Sequence, residues 1–489
     1  MQTLTGRLHR VFLQALLVPL LLNGPAASLQ HAAGGAAQAP LAATFTVNTT
    51  DDNDDGVCNA AHCSLREAIN AANAAPGTDT IAFNIPGSGV RKILPASPLP
   101  LITGPVTLDG LTQPGASCAS WPPTLRIELQ GINAGGVFDI GLNLATTEST
   151  VRGLVVNGWT GGGISLLGSG NTVECSFIGA DSSGTLAIPN YIGVSIVHAS
   201  ENIIGGGTEA GNLISGNISD GIRLVGVAAS DNTIAGNVIG ASVVNAALPN
   251  GGRGVLVSEG SGNQIGGAGA GDGNTLAFNA GAGVAILDGT GNQIQSNAIH
   301  DNGGLGIDLG GDGVTPNDPG DPDPGANLLQ NYPTLTGATV AGGTYAAGTI
   351  NTTPGSSISV AVFGNATCDA SGYGEGGSLI GTVNVTTAAS GDGTFSTTFP
   401  VAPSGRWLAT TATDPAGNTS EFGPCRALDC YLDYNHNGRV DVQDVMQVAA
   451  RWHNPTLYAP PYDVAAPFGS PIDSLDIGAA AAAWGTACP

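Results

Sequence analysis

Twelve residues near the C-terminus, Asp433-Tyr434-Asn435-His436-Asn437-Gly438-Arg439-Val440-Asp441-Val442-Gln443-Asp444, place oxygen side chains at loop positions 1, 3, 5, 9 and 12. Gly438 falls at position 6, where such a loop turns sharply, and Arg439 at position 7 can offer its backbone carbonyl. A hard cation needs six to eight oxygens at about 2.3–2.6 Å, and this alternation supplies them. The chemistry expected is Ca2+ binding by Asp433, Asn435, Asn437, Arg439, Asp441 and Asp444. Charge is scarce elsewhere, with only 10% of the 489 residues charged, so the loop stands out.

A degenerate copy follows it. Trp452 comes eight residues after Asp444, and Trp484 eight after Asp476. Between them Val445 to Arg451 is echoed by Ile477 to Ala483, so each loop leads into a helix. Asp463 and Asp473 match Asp433 and Asp441 if the second loop carries two extra residues, and Asp476 closes it. Ala465 and Pro467 stand where ligands are expected. Two calcium-loop-plus-helix units over 429–489 resemble a dockerin, the duplicated module that docks carbohydrate-active proteins onto cohesins. The resemblance implies a cohesin-like or cell-surface partner and a link to extracellular polysaccharide. Dockerin partner choice resembles a code at loop positions 10 and 11, here Val442-Gln443 and Ser474-Leu475, so the two halves differ. The alternative is a solvated Asp/Asn turn ahead of an alanine-rich helix.

Composition bounds what surrounds this tail. Seventy-six glycines suit an all-β chain rich in tight turns. Thirteen basic against 37 acidic residues give −24, which argues against nucleic acid or anionic lipid as partner. Arg7 and Arg10 precede an apolar run from Val11 to Leu22 and then Asn23-Gly24-Pro25-Ala26-Ala27. That is a secretory leader, cleaved after Ala27 or after Ala37-Gln38-Ala39, and too short to span a bilayer. No later stretch reaches membrane length, so secretion or cell-surface location without a transmembrane anchor is expected. Eight cysteines in an exported chain read as disulfides. Pairing within modules would give Cys58–Cys63, Cys118–Cys175, Cys368–Cys425 and Cys430–Cys488, although spacing alone does not fix the connectivity.

From Ala43 to Thr78 lies a distinctive head. A short strand at Thr44 to Asn48 is followed by the acidic turn Asp51 to Gly56. Asp51, Asn53 and Asp55 fall at positions 1, 3 and 5 of a further calcium loop, with His62 at position 12. Ser64 and Glu67 form a capping box for a helix whose Leu65, Ala68, Ile69 and Ala72 share one face. Cys63-Ser64-Leu65-Arg66-Glu67-Ala68 resembles the signature of the CSLREA domain, which fronts secreted bacterial β-helix proteins. The resemblance implies a right-handed parallel β-helix behind it. An amphipathic helix could plug the apolar bore that such a fold exposes at its first coil.

The repeats agree. Asn171, Asn202, Asn232, Asn263 and Asn292 recur at intervals of 31, 30, 31 and 29 residues, each opening a polar-x-apolar triplet. Gly followed by Ile or Val recurs at Gly163, Gly193, Gly221, Gly254, Gly283 and Gly306. Short β-runs at this period are the mark of stacked coils. Asparagine there tolerates left-handed backbone angles and can form a side-chain ladder between coils. Past Leu309, Asp312, Asp318, Asp321 and Asp323 lie in a Gly/Pro-rich stretch that reads as a linker or as a cation wrap. Roughly seven short strands follow up to Pro424 and suggest an immunoglobulin-like sandwich. The expected fold is mainly β: leader 1–43, cap 44–78, parallel β-helix 79–330, Ig-like β-sandwich 331–428 and dockerin-like module 429–489.

Catalytic residues are harder to find. The motif sets of pectate-lyase-like and polygalacturonase-like sites are missing: no Asp-Asp pair occurs in the coils, and His198 and His300 lack flanking glycines. Asp220, Asp288, Asp301 and Asp308 sit beside Gly-Ile/Val landmarks and could stack on one face. Arg223, three residues from Asp220, is a candidate lyase base. Asp220, Arg223, Asp301 and Asp308 are therefore the catalytic candidates, against the alternative that they cap turns and pair with one another. Trp159 and Tyr191 are the candidate sugar-stacking platforms. Three functions compete: a non-catalytic polysaccharide-binding module, an O-glycosyl hydrolase or polysaccharide lyase, and an adhesive or structural spacer.

Overall fold

The computed structural model describes residues 42–340, 343–401, 403–430, 441–450, 477, 478 and 481. The leader, the expected ligands Asp433, Asn435, Asn437, Arg439, Asp463, Asp473 and Asp476, and the Cys430–Cys488 pairing lie outside the described residues.

Most strands from Thr44 to Leu309 are two to five residues long, too short to bury an apolar side chain without neighbours. They gain burial by stacking. Three parallel sheets of nine, eight and seven strands build this region, the first starting at Thr44, the second at Arg91 and the third at Ile140. Successive strands of one sheet lie about one coil apart in sequence, as a parallel β-helix requires. In the first sheet Ile81, Leu108, Val151, Val173, Ile204, Ile234, Ile265 and Ile294 fall in register. In the second, Ile93, Leu129, Val156, Ile178, Ile214, Ile239, Leu276 and Ile299 do the same. All sixteen are buried in one core, each fully buried aliphatic side chain contributing roughly 1.5–3 kcal/mol.

The first strand, Thr44–Val47, pairs in parallel with Asp79–Phe83, so the head begins the first sheet. The helix Leu65–Ala74 carries the expected capping box, with Ser64 Oγ accepting from Glu67 N–H and Glu67 accepting from Ser64 N–H. Its Leu65, Ala68, Ile69 and Ala72 join the bore core, where the sequence placed them.

Asparagine ladders fix the corners. The expected one runs Asn171, Asn202, Asn232, Asn263, Asn292, each side-chain oxygen after the first accepting both the backbone and the amide N–H of the asparagine one coil earlier, while that of Asn171 accepts the Ser149 N–H. The left-handed angle falls one residue earlier than expected, on Gly170, Glu201, Asp231, Gly262 and Gly291. The asparagine itself must keep its side chain aimed along the stack. Two further ladders, Asn212-Asn237-Asn274-Asn297 and Asn190-Asn217-Asn250-Asn279-Asn302, line the other corners.

The last rung ends at Ile307–Leu309. Beyond it come two four-stranded sheets, mainly antiparallel, sharing a core of Leu335, Ile350, Val360, Val362, Phe395 and Leu408. This unit closes the helix. Glu375 accepts from Asp301 and Asn302 N–H, Asn418 from Gly291 N–H, Thr419 from Ile294 N–H and Glu421 from Leu309 N–H. These side chains supply the acceptors that a following coil would supply. Phe363, Ala409 and Phe422 complete the bore core.

Candidate functional site

The catalytic candidates do not converge. Arg223 stands on the outer face of the third sheet, with Nε and a terminal nitrogen 2.8 and 2.6 Å from one oxygen of Asp220. The other Asp220 oxygen accepts the Arg253 N–H at 2.9 Å, and the residue is buried. Deprotonating that guanidinium would strand a buried carboxylate, so the pair is suited to holding two coils together. Asp308 shares Arg223's column, but Leu256 and Ala285 intervene. Asp220, three residues before Arg223 on the same rung, is thus also three strand spacings, about 14 Å, from the rung of Asp308, beyond the about 5–9.5 Å between carboxyl pairs that cleave glycosidic bonds. Burial, and the neighbouring Asp312 charge, raise the Asp308 carboxyl above its ordinary range. Asp301 pairs with His300 Nδ1 at 2.8 Å and gives its N–H to Glu375.

An exposed corner offers different chemistry. Ile140, Gly162 and Ile192 pair across adjacent rungs, which sets Asp139, Gly161 and Tyr191 one residue ahead of them in one column. Backbone hydrogen bonds carry that column on from Tyr191 through Ser219, Gly252, Gly281 and Gly304. Tyr191 is 42% exposed there, whereas Trp159 is buried and its Nε1 donates to Leu129 O at 3.4 Å. Trp159 is thus a packing residue, because its indole fills the space beside Gly131 and Gly141, where an added Cβ would meet the ring at 2.3 and 2.8 Å. Phe138, one position before Asp139, is 78% exposed. It lies two rungs from Tyr191, about 10 Å at the usual strand spacing. Ile218, also exposed, follows one rung beyond. Glycines pave the remaining rungs: a Cβ on Gly252 would meet Asp220 Oδ1 at 2.4 Å. Exposed aromatic side chains on nearby coils can stack sugar rings. Phe138 escaped the sequence reading because it precedes the first recognisable repeat; the exposed Gly-Gly-Val-Phe turn just ahead of a strand was its only signal.

Metal-compatible groups occur at two places among the described residues. Asp51, Asn53 and Asp55 are spaced as a calcium loop, yet Asp51 turns to His62 Nε2 at 3.0 Å and to the Asn53 N–H. The group whose ligand atoms lie within 4.8 Å of one another is Asp55, His62 and Glu67. Asp318, Asp321 and Asp323 form the second such group. Burial, with Asp323 and Asp318 adding repulsion, pushes the Asp321 carboxyl up to about 6. Of the C-terminal loop, Asp441 and Asp444 are described. They cap the helix Val442–Ala449, Asp441 accepting from Gln443 N–H at 2.8 Å and Asp444 from Asp441 N–H at 2.8 Å.

Three disulfides join Cys58 to Cys63, Cys118 to Cys175 and Cys368 to Cys425, the in-module pairing. Such bonds persist in oxidising surroundings and accord with an extracellular protein. No helix among the described residues is long and apolar enough to cross a membrane. No protein-family model and no curated protein matches the chain. Among solved structures, the enzymatically active domain of tailspike protein 4 from bacteriophage CBA120 aligns at 10% identity with a TM-score of 0.19. The alignment covers 77% of this chain and 66% of that one, just under two thirds, and at this score it carries no argument about function.

Proposed function

We propose that the chain is a secreted, modular, non-catalytic protein that binds extracellular polysaccharide along the Phe138–Tyr191–Ile218 corner of its β-helix. The observation that carries this reading is the pair of exposed aromatic rings two rungs apart on one corner, close to the advance of a disaccharide. The ion-paired Arg223 and the wide separation of Asp220 from Asp308 favour binding over cleavage. In this reading the helix is right-handed and opens with a CSLREA-type cap. The C-terminal sheets form an Ig-like module, and a Ca2+-loaded dockerin-like tail attaches the protein to a cohesin-like or cell-surface partner.

Affinity electrophoresis on pectin, xylan and alginate, with reducing-sugar and unsaturated-product assays alongside, tests it. Retardation by at least one glycan is expected without product release. Phe138→Ala and Tyr191→Ala should each weaken binding roughly fivefold, the loss of about 1 kcal/mol of ring contact. Product release would favour the hydrolase or lyase reading. Indifference to every glycan would leave the adhesive or structural one.

A further inference from the structure

We infer that the mature chain begins at Ala43, and that the α-ammonium group created there by cleavage of the Ala42–Ala43 bond docks on the buried carboxylate of Asp79. Asp79 opens the second strand of the first sheet and is 1% exposed. Its Oδ1 accepts the Ala43 N–H at 2.7 Å. Its Oδ2 is buried and has no hydrogen-bond partner. No basic side chain among the described residues pairs with it. A buried carboxylate in that state is costly, because it has given up water without gaining a counter-charge. Protonation of Oδ2 brings no relief, since the hydroxyl formed would be a buried donor without an acceptor.

The position of Ala43 identifies the missing charge. Its carbonyl accepts the Thr80 N–H at 2.8 Å while its nitrogen faces Asp79, so its backbone is held on both sides. An amide nitrogen carries one hydrogen, and Oδ1 already takes it. An α-ammonium at the same place carries three, enough to serve both carboxylate oxygens, and brings the positive charge that the site lacks. Ala42, which would leave, is exposed, and the cut after it follows alanine as the two expected leader cuts do. Either of those cuts leaves Pro40-Leu41-Ala42 ahead of the strand, so a further cut by a peptidase that accepts alanine completes maturation. The step is a hydrolysis: water gives its hydroxyl to the Ala42 carbonyl carbon, the C–N bond breaks, and the Ala43 nitrogen takes up the protons. Thr44–Val47 and Asp79–Phe83 are the first strand pair of the first sheet. The ion pair therefore fastens the front edge of the coil stack only after processing.

The test compares whole chains released from a cleavable fusion partner with their first residue at Ala43 or at Leu41. The Ala43 chain should have a Tm higher by about 2 °C or more, and Asp79→Asn should remove that difference. Its α-amine should also resist acylation by a succinimidyl ester in buffer and react in urea, whereas that of the Leu41 chain reacts in both. This second readout needs no variant, so it decides the matter if Asp79→Asn fails to fold. Edman sequencing of the chain secreted under its own leader should read Ala-Thr-Phe-Thr. Equal Tm values, an Ala43 amine acylated in buffer as readily as that of Leu41, or a secreted chain that starts elsewhere would overturn the inference.

Discussion

Asn232 shows what one ladder residue does. Its side-chain oxygen accepts the Asn202 N–H at 2.9 Å and the Asn202 amide at 3.0 Å. Its own amide donates to Asn263 Oδ1, Ala199 O and Ser230 O. Substitution by alanine leaves these buried groups without partners, at about 1–3 kcal/mol for each one stranded. Asn232→Ala should therefore lower stability by about 3 kcal/mol or more, read as a shift in the urea midpoint. The first ladder was legible because its asparagines recur at a nearly constant interval. The other two were not, because loops of varying length, such as 241–248, blur their period, although Asn212-Leu-Ile and Asn237-Val-Ile repeat the same triplet.

At the scale of the element, the Gly-Ile/Val landmark has a steric cause. Each such glycine sits at the start of a third-sheet strand, and at Gly163, Gly193, Gly221, Gly254 and Gly283 the missing side chain is aimed at a ladder asparagine, whereas at the last rung Gly306 faces Phe422. A Cβ on Gly221 would lie 2.8 Å from Gly254 O, 2.8 Å from Ile239 Cγ2 and 2.9 Å from Asn250 Nδ2. Gly221→Ala should cost about 1–3 kcal/mol through overpacking, again read by chemical denaturation. Ala285, two residues after Gly283 and buried, marks where a methyl group is accommodated. The plug helix was equally legible from its capping box and apolar face. The exposed corner was not: Tyr191 and Trp159 look alike in sequence, and only register decides that one faces solvent and the other faces Gly131 and Gly141.

For the whole molecule, the consequential contact is the closure of the coil stack by the C-terminal sheets. Burial is the main influence on Glu421 there, pushing its carboxyl up to about 7, with Asp308 and Asp312 adding repulsion, against the N–H bonds of Leu309 and Thr315. A carboxyl that titrates higher when folded binds more protons in the native state. Its contribution is full below the unfolded value near 4.3 and is lost as pH rises through about 7. Burial raises Asp321 and Glu375, in the same region, so they act in the same direction. Stability should thus fall between about pH 4.5 and 7, and Glu421→Gln should make that slope shallower in urea titrations at several pH values.

Sequence by itself determined the coil, its apolar bore and its first ladder. Those depend on side-chain period and on backbone needs that recur at each turn, and both are local. It also marked the head that begins the first sheet. Tertiary structure decided what faces what. It locked Arg223 onto Asp220 and set Asp308 three rungs away. It set Phe138 two coils from Tyr191, one position off its column, and turned the C-terminal sheets into the lid of the core. The reason is that strand register, which no single coil encodes, sets which residues of distant segments become neighbours.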